Sequence, residues 1–445
     1  MKLSKKASLV LGGGVLTLAL CALGYGRTVN TLPDLQIPSP TMPNPNACDI
    51  FTEAGKAIQD GKAIEEAVSN HSNANNPVND SPSTRPSAKT KVYSLAEKEV
   101  LVAKNGLAVR LLRQGLPYPY LNPPYRSPDT LFPYYHNFRG LARLLKLKGE
   151  VEASKGDYDS AMQSWLDAMQ MGEMISHGSP LIGMLVGVAC EVIGRRPVWE
   201  KGLDHLTSAQ AKASIQRLEA IQAMRLPFAD TVQEEKWGIQ ASLIEAFNRP
   251  DWRHKMQETT ADKDNNGTIE RWSGQIMLSF YGRGRILKNM TAYMDASIAQ
   301  ARQPYALHLA QPPIPSDPIS QMIAPIFAQA RIKEVESHTQ NNLLLVALAL
   351  RAYHEDKKAY PATLAELAPS YLKRLPDDPF ALKGSFRYRK QGEKFVLYSV
   401  GPDAKDDGGK PIDDPTKAKG SSNPRARYLV EQGSLGDIVV GVNWH

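Results

Sequence analysis

The sequence predicts a mainly α protein that ends in a small α+β module: a helical-hairpin domain, then a long helix packed on a small antiparallel sheet. Apolar residues recur at three- and four-residue intervals over most of residues 93–303, which is the period of amphipathic helices. Near the C-terminus the period changes to two in "SFRYRKQGEKFVLYSVG", which is typical of an antiparallel hairpin with one buried face. The Pro-rich stretch "QPPIPSDP" separates the two patterns, so we place the domains at residues 93–310 and 318–445.

The N-terminal residues 1–26 carry a targeting or anchoring signal. Three lysines precede a run of uncharged residues from 7 to 25, which is long enough to cross a bilayer. The leading lysines favour a cytoplasmic N-terminus, and therefore a single-pass inner-membrane protein with its bulk in the periplasm. The alternative is a signal peptide with Ala22 and Gly24 before the cleavage site, which would leave the protein secreted.

Residues 27–92 are predicted to be a Pro-, Asn- and Ser-rich spacer. Residues 31–46 have no apolar period, which indicates an extended segment. A short amphipathic helix is predicted for residues 47–68, and an Asn-, Ser- and Pro-rich linker follows it.

The overall composition fits folded domains and gives no support to nucleic acid binding. The net charge is +7, and the basic residues are scattered along the chain rather than clustered. Outside the apolar segment the cysteines are Cys48 and Cys190, which form either one disulfide or two free thiols.

A hairpin of two helices is predicted in "NFRGLARLLKLKGEVEASKGDYDSAMQSWLDAMQMGEMI". It resembles one tetratricopeptide repeat at Gly149, at the turn of residues 156–158, and at Ala161, Trp165 and Ala168. The resemblance fails at Glu152 and Glu173. Because a solenoid needs about three repeats, this single match implies helix-pair packing without a repeat array.

The next segment, "SPLIGMLVGVACEVIGRR", is strongly apolar. Its uninterrupted apolar core covers only residues 180–190, which is too short to cross a bilayer. We therefore expect a buried central helix. Further helices are predicted over residues 208–225 and 228–248.

The C-terminal module begins with a long helix predicted for residues 318–356. Thr363 and Glu366 then form a capping box for a short second helix. The hairpin strands follow across the turn "KQGEK", and "GDIVVGVNW" predicts a third strand.

This order of elements, over residues 343–444, resembles the globular domain of type II secretion major pseudopilins and type IV pilin-like domains. The resembling stretches are "ALRAYHEDKKAYPATLAEL", "YLKRLPDDPF", "FRYRKQGEKFVLYSVGPDAKDDGG" and "GDIVVGVNW". The resemblance implies a spine helix, a sheet packed on it and a calcium-binding acidic loop. Asp403 and Asp437 match the acidic positions of that family, and Asp406 and Asp407 are further candidate ligands.

Pilus assembly is not expected. In the family, the apolar N-terminal segment is continuous with the spine helix and carries a Glu. Here the apolar segment has no Glu and lies far from residue 318 in the chain.

A second calcium candidate is the EF-hand-like loop "DKDNNGTIERWS". Its candidate ligands are Asp262, Asp264, Asn266, Thr268 and Glu270. Ser273 occupies the position of the bidentate Glu, however. The alternative is an Asp/Asn/Gly turn in which Thr268 caps the next helix.

Nothing in the sequence matches a known catalytic motif. No His-x3-His, HExxH, GxSxG or phosphate-loop pattern occurs in a suitable context. This favours a membrane-anchored extracytoplasmic scaffold that binds a protein partner of the cell envelope. The alternative is a calcium-stabilised hydrolase or glycan-active enzyme. Carboxylates clustered in a helical cleft would favour the enzyme, whereas a smooth apolar groove would favour the scaffold.

Overall fold

The computed structural model describes residues 30–69, 91–252, 254, 282–305, 315, 317, 320–321, 324, 327–419 and 424–443. The apolar segment of residues 1–26, most of the second linker and the EF-hand-like loop lie outside these residues. Within the described part of the chain, no helix is both long and apolar enough to cross a membrane.

The described chain is mainly helical, with a three-stranded antiparallel sheet near its C-terminus, as the sequence predicts. The helices are α1 (Ala47–Lys56), α2 (Gly61–Ser69), α3 (Leu95–Lys104), α4 (Gly106–Gly115), α5 (Tyr134–Ser154), α6 (Tyr158–Ile175), α7 (Leu181–Pro197), α8 (Ser208–Gln222), α9 (Phe228–Asn248), α10 (Arg283–Ala301), the long α11 (Phe327–Lys357) and the short α12 (Pro415–Ala418). The strands are β1 (Arg387–Gln391), β2 (Lys394–Ser399) and β3 (Ile438–Val439).

The single helix predicted for residues 47–68 is instead the pair α1 and α2. The chain turns between them at Asp60, whose φ of 54° lies in the left-handed region. The buried Asn105 holds this turn: its side chain accepts the N–H of Gln59 at 2.7 Å and donates to the Gln59 carbonyl at 3.1 Å. Because Asn105 lies 46 residues away in the chain, apolar periodicity could not predict the break.

Helices α5 and α6 form the predicted hairpin. The turn uses Gly156 at φ 80°, and Asp157 caps the first turn of α6. Gly149 lets the fully buried Trp165 lie against α5, since a Cβ at residue 149 would be 2.2 Å from the indole Nε1. The indole N–H donates to the carbonyl of Lys146 at 3.3 Å.

Helix α7 is the central helix that the sequence predicts. It packs against α5, α6, α9 and α11. Helices α9 and α10 pack against each other over a separate apolar cluster that includes Phe228, Val232, Phe247, Ile286 and Met290.

The long helix α11 begins at Phe327 rather than at the predicted residue 318. Ala324 is not helical, and it precedes Pro325, whose ring disfavours the helical conformation in the residue before it. Residues 343–350 of α11 are all buried, because α7 and α8 cover one side of the helix and the sheet covers another.

One apolar core joins the helical hairpin to the C-terminal module. It contains Trp165 of α6, Ile215 of α8, Leu344 of α11, Leu397 of β2 and Ile438 of β3. The long helix therefore packs on the sheet, as predicted, and also on the helices that precede it in the chain.

The sheet has the order β1-β2-β3, with both neighbours antiparallel to the central β2. Gly392 makes the hairpin turn with φ 60°. The third strand is only two residues long, because the chain turns again at Gly441, where φ is 88°. Upstream, the carboxylate of Glu366 accepts the N–H of Thr363 at 3.0 Å, and the predicted short helix is a single 3-10 turn.

Candidate functional site

An open cleft lies where α6, α7 and α11 meet the turn between α8 and α9. Five charged side chains line it: Glu173 of α6, Glu191 of α7, Arg225 of the turn, Asp230 of α9 and Glu334 of α11. The free space inside it is about 20 Å³, which is enough for about one water molecule.

Glycines bring the two acidic helices together. Helices α6 and α7 cross in backbone contact: a Cβ at Gly172 would lie 2.6 Å from the carbonyl oxygen of Gly187, and a Cβ at Gly187 would lie 2.4 Å from that of Gly172. Glu173 follows Gly172 in the chain, and Glu191 stands about one turn after Gly187. The crossing therefore positions both carboxyl groups at one end of the cleft.

Three carboxyl groups share the guanidinium of Arg225. Its Nη2 lies 3.0 Å from Oε2 of Glu173 and 3.3 Å from Oε2 of Glu191, and its Nη1 lies 3.2 Å from Oε1 of Glu334. All four side chains are largely buried, with Glu173 only 3% exposed. One positive charge therefore faces three acidic groups in a poorly solvated site.

The three carboxyl groups differ in how well other donors satisfy them. Glu191 also accepts hydrogen bonds from Ser337 Oγ at 2.9 Å and from Asn341 Nδ2 at 2.6 Å. Glu334 also accepts one from Arg331 at 3.1 Å. Oε2 of Glu173 has no aligned hydrogen-bond donor, although Arg225 is within ion-pair distance. This oxygen of Glu173 is therefore held by the ion pair with Arg225 alone.

The electrostatics of the cleft follow from this burial. Burial raises the pKa of Glu173, Arg225 lowers it, and the neighbouring Glu191 and Glu334 add to the rise; together they place it at about 8. The carboxyl group is therefore largely protonated at neutral pH. Burial also lowers the pKa of His338, and Arg225 adds to this effect, so the pKa is about 3 and the imidazole is neutral.

A buried hydrogen-bond network behind the cleft ties α7 to α11. The guanidinium of Arg195 donates to Oδ1 of Asn341 at 2.7 Å and to Oγ of Ser337 at 3.2 Å, while both of those residues donate to Glu191. Burial lowers the pKa of Arg195 to about 10. The network fixes Glu191 in place, because Ser337 and Asn341 both donate to its Oε2.

Apolar side chains form the walls of the cleft. These are Met184, Val188, Leu226 and Phe228, and Asp230 lies with them at the start of α9. Leu226 is 41% exposed, so the wall reaches the surface. The cleft therefore combines an acidic end with an apolar entrance.

The C-terminal acidic loop is organised around the fully buried Asp437. Its carboxylate accepts the N–H of Asp407 at 3.3 Å and the N–H of Gly409 at 2.7 Å. Asp406 instead bonds Arg387 at 2.9 Å and the hydroxyl of Tyr398 at 3.0 Å.

The predicted ligands of this loop are brought together only in part. Burial raises the pKa of Asp437, and Asp406 and Asp407 add to the rise, which places these three carboxylates near one another. Asp403 accepts the N–H of Lys405 at 3.2 Å with one oxygen and, with the other, the N–H of Gly436, which precedes Asp437, at 3.5 Å. Among the described residues, no group of three or more His, Cys, Asp or Glu side chains is arranged to hold a metal ion.

Two further expectations from the sequence have different outcomes. Asp262, Asp264, Asn266, Thr268 and Glu270 lie outside the described residues. Cys48 and Cys190 are both free and buried, which matches the second of the two alternatives for the cysteines.

Comparison of the chain with protein-family models, curated proteins and solved structures found no match.

The sequence did not identify the cleft residues as a site. Glu173 and Glu191 each stand alone in an otherwise apolar stretch, "MQMGEMI" and "VGVACEVIG". A single acid within an apolar helix is a recognisable signal, because a buried carboxyl group needs a partner elsewhere in the fold. That partner, Arg225, could be assigned only once the helices were placed.

Proposed function

We propose that this protein is a membrane-anchored extracytoplasmic scaffold that binds a protein partner of the cell envelope in the cleft between α6, α7 and α11. The cleft carries the proposal. It is open, it has an apolar entrance, and it holds a buried carboxyl group with an oxygen that lacks an aligned donor. Because its free space holds only about one water molecule, the cleft suits a shallow contact with a partner surface rather than the enclosure of a ligand.

The remaining parts of the proposal rest on the sequence. Residues 1–26 anchor the chain in the inner membrane, or act as a signal peptide that is removed. The C-terminal module is pilin-like, binds calcium through its acidic loop, and takes no part in pilus assembly.

Site-specific photo-crosslinking tests the partner-binding role. A benzophenone residue at Leu226, in the cleft wall, is expected to form an adduct with an envelope protein in intact membranes. The same residue at Leu131, which is 81% exposed and outside the cleft, serves as the control. The adduct should disappear when Glu334→Lys reverses a charge at the edge of the cleft. An adduct that forms equally at both positions, or that survives Glu334→Lys in a folded protein, would contradict the proposal.

A hydrolase or glycan-active enzyme is the second candidate, and the clustering of carboxyl groups in a helical cleft favours it. With a pKa of about 8, Glu173 could act as a general acid at neutral pH. Binding is nevertheless the stronger proposal, because the donors already engaging Glu191 and Glu334 leave neither free as a second catalytic carboxylate.

Turnover assays distinguish the two candidates. The enzyme candidate requires cleavage of an envelope glycan or peptide polymer, with an activity that Glu173→Gln abolishes and that declines as pH rises through about 8. If wild-type protein releases no product from such polymers at any pH, the enzyme candidate fails.

A further inference from the structure

Helices α3 and α4 present a row of apolar side chains to solvent. Val92, just before α3, is 80% exposed, Val100 is 66% exposed and Leu107 is 52% exposed. The exposed Ala96 and Ala103 lie between them. From Ala96 to Leu107 the spacing is four, three and four residues, which places these side chains on one helical face. We call these five residues the apolar stripe.

The opposite face of the same two helices is the one that packs on the fold. Leu101, Asn105, Ala108 and Leu112 have the same spacing of four, three and four residues, and all are buried. The buried and exposed faces therefore keep their opposite directions across Asn105, which separates the two helices. At a rise of 1.5 Å per residue, the helical part of the stripe is about 17 Å long.

The polarity of α3 is inverted relative to that of an ordinary surface helix. Lys98 is only 7% exposed, and its Nζ lies 3.8 Å from Oε2 of Glu150 in α5. Val100, two residues later, faces water. A helix that only covered the core would bury its valine and expose its lysine. The sequence of α3 thus conflicts with its packing in a single chain, and such conflicts are typical of functional surfaces.

The charges beside the stripe leave a positive end. Three ion pairs within the chain flank it: Lys91 with Glu97 at 2.9 Å, Lys155 with Glu99 at 2.8 Å, and Lys104 with Asp60 at 2.6 Å. Arg110, one turn after Leu107, is exposed and forms no ion pair with another described residue. The stripe therefore has a neutral rim and ends at an uncompensated positive charge.

This charge pattern favours a helix of another protein over a membrane surface or a second copy of the chain. Helices that lie on membranes carry an excess of lysine and arginine on their polar face, whereas each lysine of this rim has an acidic partner. Two copies paired through the stripe would set Arg110 against Lys91 if antiparallel, and against Arg110 itself if parallel. Like charges placed together in this way oppose association.

We propose that the apolar stripe docks an amphipathic helix of a partner protein. About three turns of that helix lie along the stripe with their apolar face against Val100 and Leu107, and an acidic side chain at one end pairs with Arg110. Neither α3 nor α4 lines the cleft. The stripe is therefore a docking surface additional to the one in the proposed scaffold function.

Photo-crosslinking from the stripe in intact membranes tests the proposal. A benzophenone residue is placed at Val92, Val100 or Leu107 of the full-length protein, and mass spectrometry identifies the attachment points in the adduct. We expect the same partner from all three positions. The attachment points from Val100 and Leu107 should lie about seven residues apart in one partner segment, because two helical turns contain about seven residues. Leu382, which is 78% exposed in the C-terminal module, is the control position and should not give this adduct.

Two variants test the apolar contact and the charge separately. Val100→Lys places a charge in the middle of the stripe and should lower the adduct yield from Leu107 about tenfold. Arg110→Glu should also lower it, because it would repel the acidic side chain of the partner. Both side chains are exposed, so the melting temperature should not change. Leu382→Lys is the matched control and should leave the yield unchanged. If Val100→Lys does not fold, Arg110→Glu decides.

Several results would overturn the inference. An adduct with lipid indicates a membrane-binding face, and an adduct with a second copy of the chain indicates self-association. Attachment points without helical spacing, no adduct from any position of the stripe, or an undiminished yield in both variants would also contradict it. The adduct expected from Leu226 in the cleft does not depend on the stripe, so failure of this proposal and failure of the proposed function can be told apart.

Discussion

Replacing Gly187 with Ala tests whether the backbone crossing of α6 and α7 builds the cleft. The added Cβ would lie 2.4 Å from the carbonyl oxygen of Gly172, about 1 Å short of ordinary van der Waals contact. Both sides of this contact are backbone, so no side chain can move aside. The helices must separate, and overpacking of a core costs about 1–3 kcal/mol.

We expect a loss near 3 kcal/mol, at the upper end of that range. Native domains have free energies of unfolding of about 5–15 kcal/mol, so the effect is easily measured. Urea unfolding followed by circular dichroism should show a lower midpoint with an unchanged slope. The separation also moves Glu173 away from Glu191, so the crosslink from Leu226 should weaken as well.

Gly106→Ala provides the matched control. Gly106 begins α4, and a Cβ there would have only a flexible Arg110 nitrogen nearby, at 3.8 Å. Alanine is favoured over glycine in helices by about 0.5–1 kcal/mol, so this variant should be unchanged or slightly more stable. If Gly187→Ala were as stable as Gly106→Ala, the glycine crossing would not determine the packing of the two helices.

Three further predictions concern individual side chains, and a fourth concerns calcium. Because burial raises the pKa of Glu173 from 4.5 to about 8, the native state holds a proton that the unfolded state has lost between those values. The free energy of unfolding should therefore fall as pH rises through that window, and Glu173→Gln should flatten this part of the pH profile; an identical profile in the variant would contradict it. Asn341→Leu removes a donor to Glu191, and should lower stability by about 1–3 kcal/mol in urea unfolding; no change would mean that the network behind the cleft is not stabilising. Asp437→Ala leaves the N–H of Gly409 without its acceptor, so amide exchange at residues 407–409 should accelerate, and unaltered exchange would refute this role. Calcium should raise the melting temperature relative to chelator if the C-terminal acidic loop binds it, and an unchanged transition would rule out that site.

The secondary structure was largely predictable because it depends on short-range patterns. The bounds of α9 match the predicted helix, and Gly149 with Trp165 gives the expected close packing of the hairpin. The hairpin strands were also predicted, since alternation and the Gly392 turn lie within a few residues of each other.

The missed features depend on residues that are distant in the chain. The split between α1 and α2 needs Asn105, and the position of Glu191 needs Asn341, which lies 150 residues away. The spacing of apolar residues along the chain carries no information about such distant pairs. The sequence instead drew attention to acidic loops, because clustered aspartates are visible locally, whereas the carboxyl groups around Arg225 come from three separate helices.

The most direct test of partner binding at the cleft is the photo-crosslink from its apolar wall. A benzophenone residue at Leu226 should form an adduct with an envelope protein in intact membranes, whereas the same residue at the exposed Leu131, outside the cleft, should form none. Adducts at both positions, or at neither, would contradict binding of a partner at the cleft.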